Sequence, residues 1–168
     1  PTASSLVTSP SSFSCTNGTW ELFKAYRVTS SPTSGSWNLR ILKSNHSAVA
    51  GIAYITTPPL GSIGTVTFDY KRGRPHDVMY STNNGAEWQL GFTCANTNPN
   101  ANVANGTINV QGPVLLKIQD NTVGDDDIDN LVVTAASGSA VESTPANLPT
   151  ELSLKNYPNP FNPSTKIV

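Results

Sequence analysis

Short segments in which apolar and polar residues alternate recur along this chain at intervals of roughly ten residues. The clearest lies at residues 65–70, where Val66, Phe68 and Tyr70 alternate with polar neighbours. A period of two places these three side chains on one face of a strand. No segment has a convincing helical period. The pattern predicts strands at residues 37–41, 48–56, 65–70, 77–81, 88–92, 108–110, 114–118 and 128–134.

Turn chemistry and composition favour the same class. The sequence Asn83-Asn84-Gly85 separates two predicted strands, and Asn-Gly tolerates the positive φ angles of a type I′ hairpin turn. Ser, Thr, Asn, Gly and Pro dominate the chain, as in proteins built of many short strands. We therefore predict an all-β antiparallel sandwich, a jelly roll, over residues 1–134. Residues 135–147 are predicted to be a linker and residues 148–168 an extended, proline-rich tail.

Charge and hydropathy exclude several classes of protein. Charged residues make up 12% of the chain and the net charge is −1, which argues against a nucleic-acid-binding surface. No apolar run approaches the length of about 20 residues that a membrane-spanning helix needs, so no transmembrane segment is predicted. Catalysis finds little support, because the chain has two histidines and no Gly-x-Ser-x-Gly motif.

The tail has four prolines, at 149, 158, 160 and 163, which exclude a helix. Its apolar anchors alternate with polar residues or stand between prolines: Leu152, Leu154, Tyr157 and Phe161. The run NYPNPFNPSTKIV resembles the start of the C-terminal sorting domain of cargo of the bacterial type IX secretion system, found in Bacteroidetes and related phyla. The family's domain continues for several more strands. The resemblance implies secretion or surface display, with the secretion machinery as a partner.

A looser resemblance covers residues 36–134. The runs GSIGTVTFDYK, MYSTNNGAEWQ, LLKIQDN and DIDNLVVT are similar in content and order to jelly-roll modules of secreted bacterial proteins. Those modules resemble carbohydrate-binding and concanavalin-like domains. The resemblance implies the fold more than any ligand.

Acidic residues cluster at Asp125, Asp126, Asp127 and Asp129, with Asp120 just before them. Crowded carboxylates repel one another unless water or a cation compensates, and Ca²⁺ takes 6 to 8 oxygen ligands in flexible geometry. The related jelly rolls often hold a structural calcium beside the last strand. A calcium site at Asp125, Asp127 and Asp129 is one reading, and a solvated acidic turn is the other.

Cys15 and Cys94 are the only cysteines. Two free thiols are one reading. The export-type tail favours a Cys15–Cys94 disulfide, because oxidising compartments preserve such bonds. It would close a loop of about 80 residues and contribute roughly 4 to 5 kcal/mol on the chain-entropy model.

The three tryptophans divide into two groups. Trp88 shares a strand face with Leu90 and Phe92 in the predicted pattern, so we expect it in the core. Trp20 and Trp37 are candidate sugar-stacking platforms, because an aromatic face covers a pyranose ring well. Core positions are the alternative for both.

A basic segment, Lys71 to His76, is predicted to be a solvated loop. The alternative is that it binds an acidic glycan or the acidic loop of a neighbouring subunit.

Two functions follow from these features. The first is a non-catalytic extracellular module that binds polysaccharide or another cell-surface component. The second is a structural subunit of an extracellular filament or surface layer, whose tail adds as a strand to an identical neighbour. Leu152, Leu154, Tyr157 and Phe161 would be the assembly anchors in that case.

Overall fold

A computed structural model describes residues 5–29, 32, 35–42, 50–72, 74–95, 102–121 and 124–138. Contacts divide the chain into two units, Pro1–Ser137 and Gly138–Val168, and the fold described below belongs to the first. The described residues form strands and no helix, and therefore include no helix that could cross a membrane. The predicted all-β class is confirmed.

The described residues contain ten strands, which make two antiparallel layers. Sheet A has the order β1-β2-β5-β9-β7-β8, and sheet B has the order β9-β6-β10-β4-β3. The two sheets form the predicted jelly-roll sandwich. The strands are β1 (Ser11–Cys15), β2 (Gly18–Phe23), β3 (Ala25–Val28), β4 (Asn38–Ile41), β5 (Tyr54–Thr56), β6 (Leu60–Tyr70), β7 (His76–Ser81), β8 (Gln89–Cys94), β9 (Asn102–Asp120) and β10 (Asp126–Val133).

Strand β9 belongs to both sheets. Its first part, up to Val114, pairs with β6, and its second part pairs with β5 and β7. The prediction of two separate strands, 108–110 and 114–118, was therefore wrong. Gln111-Gly112-Pro113 is a bend within one strand, and Gly112 supplies the positive φ of 84° there. Strand β9 begins at Asn102, and Asn102 to Asn105 pair with β6.

The core lies between the two sheets. Val66, Phe68 and Tyr70 of β6 are at most 1% exposed, which confirms the inward face predicted from their alternation. A matching row crosses sheet A through Leu22, Ile55, Ile118 and Val78, all at most 3% exposed. Because inward residues alternate with outward ones, the neighbouring row of the same strands faces solvent.

The core position predicted for Trp88 was wrong. Trp88 is half-buried and precedes β8, while Leu90 is 57% exposed. A β-bulge shifts the register between Val78↔Phe92 and Met79↔Leu90, so Leu90 no longer shares a face with Phe92.

The turn between β7 and β8 agrees with the prediction: the amide of Ala86 donates to the carbonyl of Asn83 at 3.3 Å. The two central residues, Asn84 and Gly85, have the positive φ angles of a type I′ turn.

The predicted disulfide is absent, because both cysteines are free thiols. Cys15 lies on β1 and Cys94 on β8, the two opposite edges of sheet A. Five strand spacings of about 4.8 Å separate these edges by about 24 Å along the sheet, whereas a disulfide needs Cα atoms within about 7 Å. Cys94 is buried, and burial raises the pKa of its thiol to about 11.

Candidate functional site

A groove of about 470 Å³ runs over the outer face of sheet A. The register places Glu21, Thr56 and Lys117 side by side on β2, β5 and β9, in the row that alternates with the core. Tyr54 belongs to the next outward-facing position of β5. We call this the sheet A groove; its lining residues are Ser12, Thr19, Trp20, Glu21, Tyr54, Thr56, Thr57, Pro59, Asn84, Gly85, Trp88, Leu115 and Lys117.

Lys117 lies between two aromatic rings in this groove. Its Nζ is 3.6 Å from the ring centroid of Trp88 and 4.9 Å from that of Tyr54. These are cation–π distances, and they tie the loop that carries Trp88 to the middle of the sheet. Burial lowers the pKa of Lys117, while the carboxylate of Glu21 acts in the opposite direction.

Tyr54 is fixed by a second contact. Its hydroxyl donates a hydrogen bond to Oε1 of Glu21 at 2.7 Å. Burial, followed by this hydrogen bond, raises the pKa of Tyr54 above its ordinary value, so the phenol is protonated at neutral pH. The groove thus combines aromatic rings held in fixed orientations with an ammonium, a carboxylate and several hydroxyl and amide groups. Such a surface can stack on a ring and hydrogen-bond to hydroxyls around its edge.

Trp20 and Trp37, the two predicted binding residues, both line a second cavity. This cavity of about 190 Å³ opens between the two sheets. We call it the interlayer cleft; its lining residues are Trp20, Arg27, Trp37, Asn38, Leu39, Ile55, Ile128, Asp129, Asn130 and Leu131. Trp20 also lines the sheet A groove, whereas Trp37 does not. The structure therefore brings the two tryptophans together in the interlayer cleft. Trp20 alone also lines the groove.

Sequence reasoning missed Tyr54, Trp88 and Lys117 as groove residues. Lys117 and Tyr54 could have been placed on an outward face from their position next to core residues in alternating strands. Their proximity to each other depends on β5 pairing with β9, which are far apart in sequence. Trp88 carried no such signal, because its position depends on the bulge in β8.

The three predicted calcium ligands are not assembled into a site. Asp127 points its carboxylate at Arg40, with Oδ1 2.6 Å from Nε and Oδ2 2.9 Å from Nη2. Asp129 accepts the amide of Asn130 at 2.8 Å. Within the described ranges, no three His, Cys, Asp or Glu side chains are arranged to hold a metal ion. The Asp127 carboxylate is already paired with the Arg40 guanidinium, and calcium binding at Asp125, Asp127 and Asp129 stays a prediction.

The basic segment lies against this acidic one. His76 is not in a solvated loop but fully buried in β7, with Nε2 3.2 Å from Oδ2 of Asp126. The amide of Arg74 donates to the same carboxylate oxygen at 3.2 Å. Arg72 lies 3.8 Å from Asp127, so the two segments pair within the chain.

The predicted assembly anchors lie outside the described residues; these are Leu152, Leu154, Tyr157 and Phe161.

No protein-family model matches the sequence, and no curated protein matches it. Solved structures do match the fold. The K1 cleaved adhesin domain of Lys-gingipain from Porphyromonas gingivalis has a TM-score of 0.53 at 10% identity, covering 77% of this chain and 99% of that chain. A variant of a family 29 carbohydrate-binding module has a TM-score of 0.50 at 14% identity, with 79% and 92% covered.

A further match is an endo-1,4-β-D-xylanase of Clostridium thermocellum, solved as its CBM22-1–GH10 modules in complex with xylohexaose. Its TM-score is 0.53 at 12% identity, covering 80% of this chain and 29% of that chain. Together these matches define the class of fold: a jelly-roll β-sandwich of the kind found in adhesin domains and carbohydrate-binding modules.

Proposed function

We propose that this chain is a non-catalytic extracellular module that binds polysaccharide in the sheet A groove. The observation that carries the proposal is the pair of oriented aromatic rings, Trp88 and Tyr54, beside Lys117 and Glu21 on one sheet face. Trp20 also lines the groove. The fold shared with carbohydrate-binding modules and adhesin domains supports it.

The groove suits a chain of sugars better than a compact ligand. It lies over several neighbouring strands and is open to solvent along the face of the sheet. An internal segment of a polymer can therefore lie in it, with both chain ends outside. Apolar ring faces stack on aromatic side chains, and hydroxyls at the ring edge both donate and accept hydrogen bonds. Lys117 supplies donors and Glu21 supplies acceptors within the same groove.

The test uses Trp88→Ala and Lys117→Ala, with retention on insoluble xylan, cellulose and mannan as the measurement. Truncating a central aromatic in a binding site costs about 2 kcal/mol or more, so we expect retention to weaken by roughly thirtyfold. Trp37→Ala is the matched control, because Trp37 lies outside the groove and should leave retention unchanged. Wild-type retention by both groove variants, or no retention of the wild type on any glycan, would disprove the proposal.

Extracellular location is part of the proposal. It is supported by the resemblance of residues 148–168 to the start of a type IX sorting domain. The filament hypothesis, with strand addition by the tail to an identical subunit, has no comparable observation in its favour. It therefore stays a prediction, and deletion of residues 139–168 followed by electron microscopy tests it.

A further inference from the structure

Trp88 lines the sheet A groove but belongs to no strand. It lies in the loop of residues 82–88, which joins β7 to β8. Its ring nevertheless lies against Lys117 of β9, whose Nζ is 3.6 Å from the ring centroid. Loops move more than the strands that they connect, so an indole held in one place on a loop needs a support of its own.

The side chain of Asn83 supplies this support. Its Oδ1 accepts two hydrogen bonds of 2.9 Å, one from the hydroxyl of Ser81 and one from the amide of Glu87. Glu87 directly precedes Trp88 in the chain. The carboxamide oxygen therefore links the end of β7 to the peptide that leads into Trp88. The Nδ2 of Asn83 lies 3.5 Å from Oε2 of Glu87, which is too far to contribute much.

Ser81 ties the loop to the sheet. It is 1% exposed, ends β7 and pairs with Leu115 of β9. Its hydroxyl also accepts the amide of Gly85 at 2.9 Å. Lys117 is two residues beyond Leu115, so the contact of Lys117 with Trp88 returns the loop to the same strand. A loop fixed to one strand at both ends leaves the indole few positions.

An indole that is ordered before the ligand arrives binds better than a mobile one. Ordering one side chain at the moment of binding weakens affinity by roughly two- to tenfold. Loss of the Asn83 oxygen should therefore weaken binding in the groove, although every residue that lines the groove remains in the chain.

We propose that Asn83 is a positioning residue for the sheet A groove. Its carboxamide oxygen orders the loop of residues 82–88 and so holds Trp88 against Lys117 in the free protein. Asn83 acts only through the indole, since it lies outside the lining of the groove. This role rests on the glycan binding proposed above, and it makes the affinity depend on a residue that does not contact the ligand.

The first test needs no ligand. The Nζ of Lys117 lies over the indole face, so the ring shifts the NMR signals of the adjacent ε-methylene upfield, and Trp88→Ala gives the unshifted reference. Asn83→Ala should move these signals closer to the reference than to the wild type. Asn83→Asp should restore the wild-type shift, because it keeps an oxygen for both hydrogen bonds and its exposed charge costs little against Glu87. Thr82→Ala, at an exposed neighbour in the same loop, is the matched control.

The second test measures retention on the insoluble glycan that the wild type binds. Asn83→Ala should weaken retention by about fivefold, whereas Asn83→Asp should restore it and Thr82→Ala should leave it unchanged. In the Trp88→Ala background, Asn83→Ala should have no further effect, because the two substitutions remove the same contribution. A general loss of stability would instead weaken retention equally in both backgrounds.

Three results would overturn the positioning role: a wild-type Lys117 shift in Asn83→Ala, wild-type retention by that variant, or an equal loss of retention in the Trp88→Ala background. The failure of the proposed function is a separate result. If the wild type is retained on no glycan, glycan binding is disproved, and the Lys117 shift alone then decides whether Asn83 positions Trp88.

Discussion

At the scale of single residues, Asp127 of the acidic cluster is neutralised by an arginine of the same chain. Its carboxylate accepts two hydrogen bonds from Arg40, and the side chains are 17% and 6% exposed for the arginine and the aspartate. The hydrogen bonds that Arg40 donates to Asp127 are the largest cause of its raised pKa, so the guanidinium is charged at every accessible pH. The sequence showed the carboxylates but not Arg40 as their partner, because the two residues lie 87 positions apart.

We expect Asp127→Asn to lower the free energy of unfolding by about 2 kcal/mol, because Arg40 then keeps a largely buried charge without its counter-charge. Urea denaturation measures it, with Asp69→Asn as the control. Asp69 lies in the same sheet and takes part in no ion pair among the residues that the structure describes, so the control should change stability by less than about 0.5 kcal/mol.

The same experiment decides between the ion pair and calcium. The decrease in the free energy of unfolding caused by Asp127→Asn should be the same in excess calcium and in EDTA. If calcium stabilises the wild type and the substitution abolishes that gain, Asp127 is a calcium ligand and the ion-pair explanation is wrong.

At the scale of strands, β8 and β9 approach closely through two glycines. A side chain at Gly106 would overlap the ring of Phe92, and one at Gly91 would lie 2.7 Å from Ile108. Phe92 and Ile108 both pack against the core cluster. The close packing of β8 against β9 therefore requires glycine at these two positions.

Gly106→Ala should destabilise the fold by about 1–3 kcal/mol, because Phe92 must leave its rotamer or the strands must separate. Gly61→Ala is the matched control: Gly61 lies on the paired strand β6, with open space where its Cβ would be. Thermal unfolding should show a lower midpoint for the first variant alone. A Gly106→Ala variant as stable as the wild type would show that β8 does not pack against β9 as described.

The strands also show what sequence can and cannot predict. Periodicity gave the inward face of β6 and the turn at Asn84-Gly85, because both depend on neighbours in the chain. It failed for Trp88 and Leu90, because one bulge in β8 reverses the alternation. It also failed for β9, where a Gly-Pro pair that usually ends a strand only bends this one. The groove is built from strands distant in sequence, so pattern alone could not assemble it.

At the scale of the whole molecule, β9 couples the two sheets. It pairs with β6 in sheet B and with β5 and β7 in sheet A. Its second half is central in sheet A, between β5 and β7, whereas its first half lies at the edge of sheet B and pairs with β6. We therefore expect the two sheets to unfold in one cooperative step.

Hydrogen exchange tests this expectation. Amides in both halves of β9 should exchange with the same free energy, equal to that of global unfolding, while β1 should exchange through a smaller local opening. Amides of Lys117 and Ala104 report the two halves. If one half exchanged at a free energy lower by more than about 1 kcal/mol, the sheets would be separate cooperative units.

The continuity of β9 also has a mechanical consequence. A ligand held in the groove pulls on Lys117, and the backbone carries that load around the bend at Gly112 into the pairing with β6. For one sheet to slide past the other, the hydrogen bonds of β9 must break in one of the sheets or its backbone must extend at the bend. If the chain binds a glycan as proposed, tension on that glycan is shared by both sheets and does not peel away a single one.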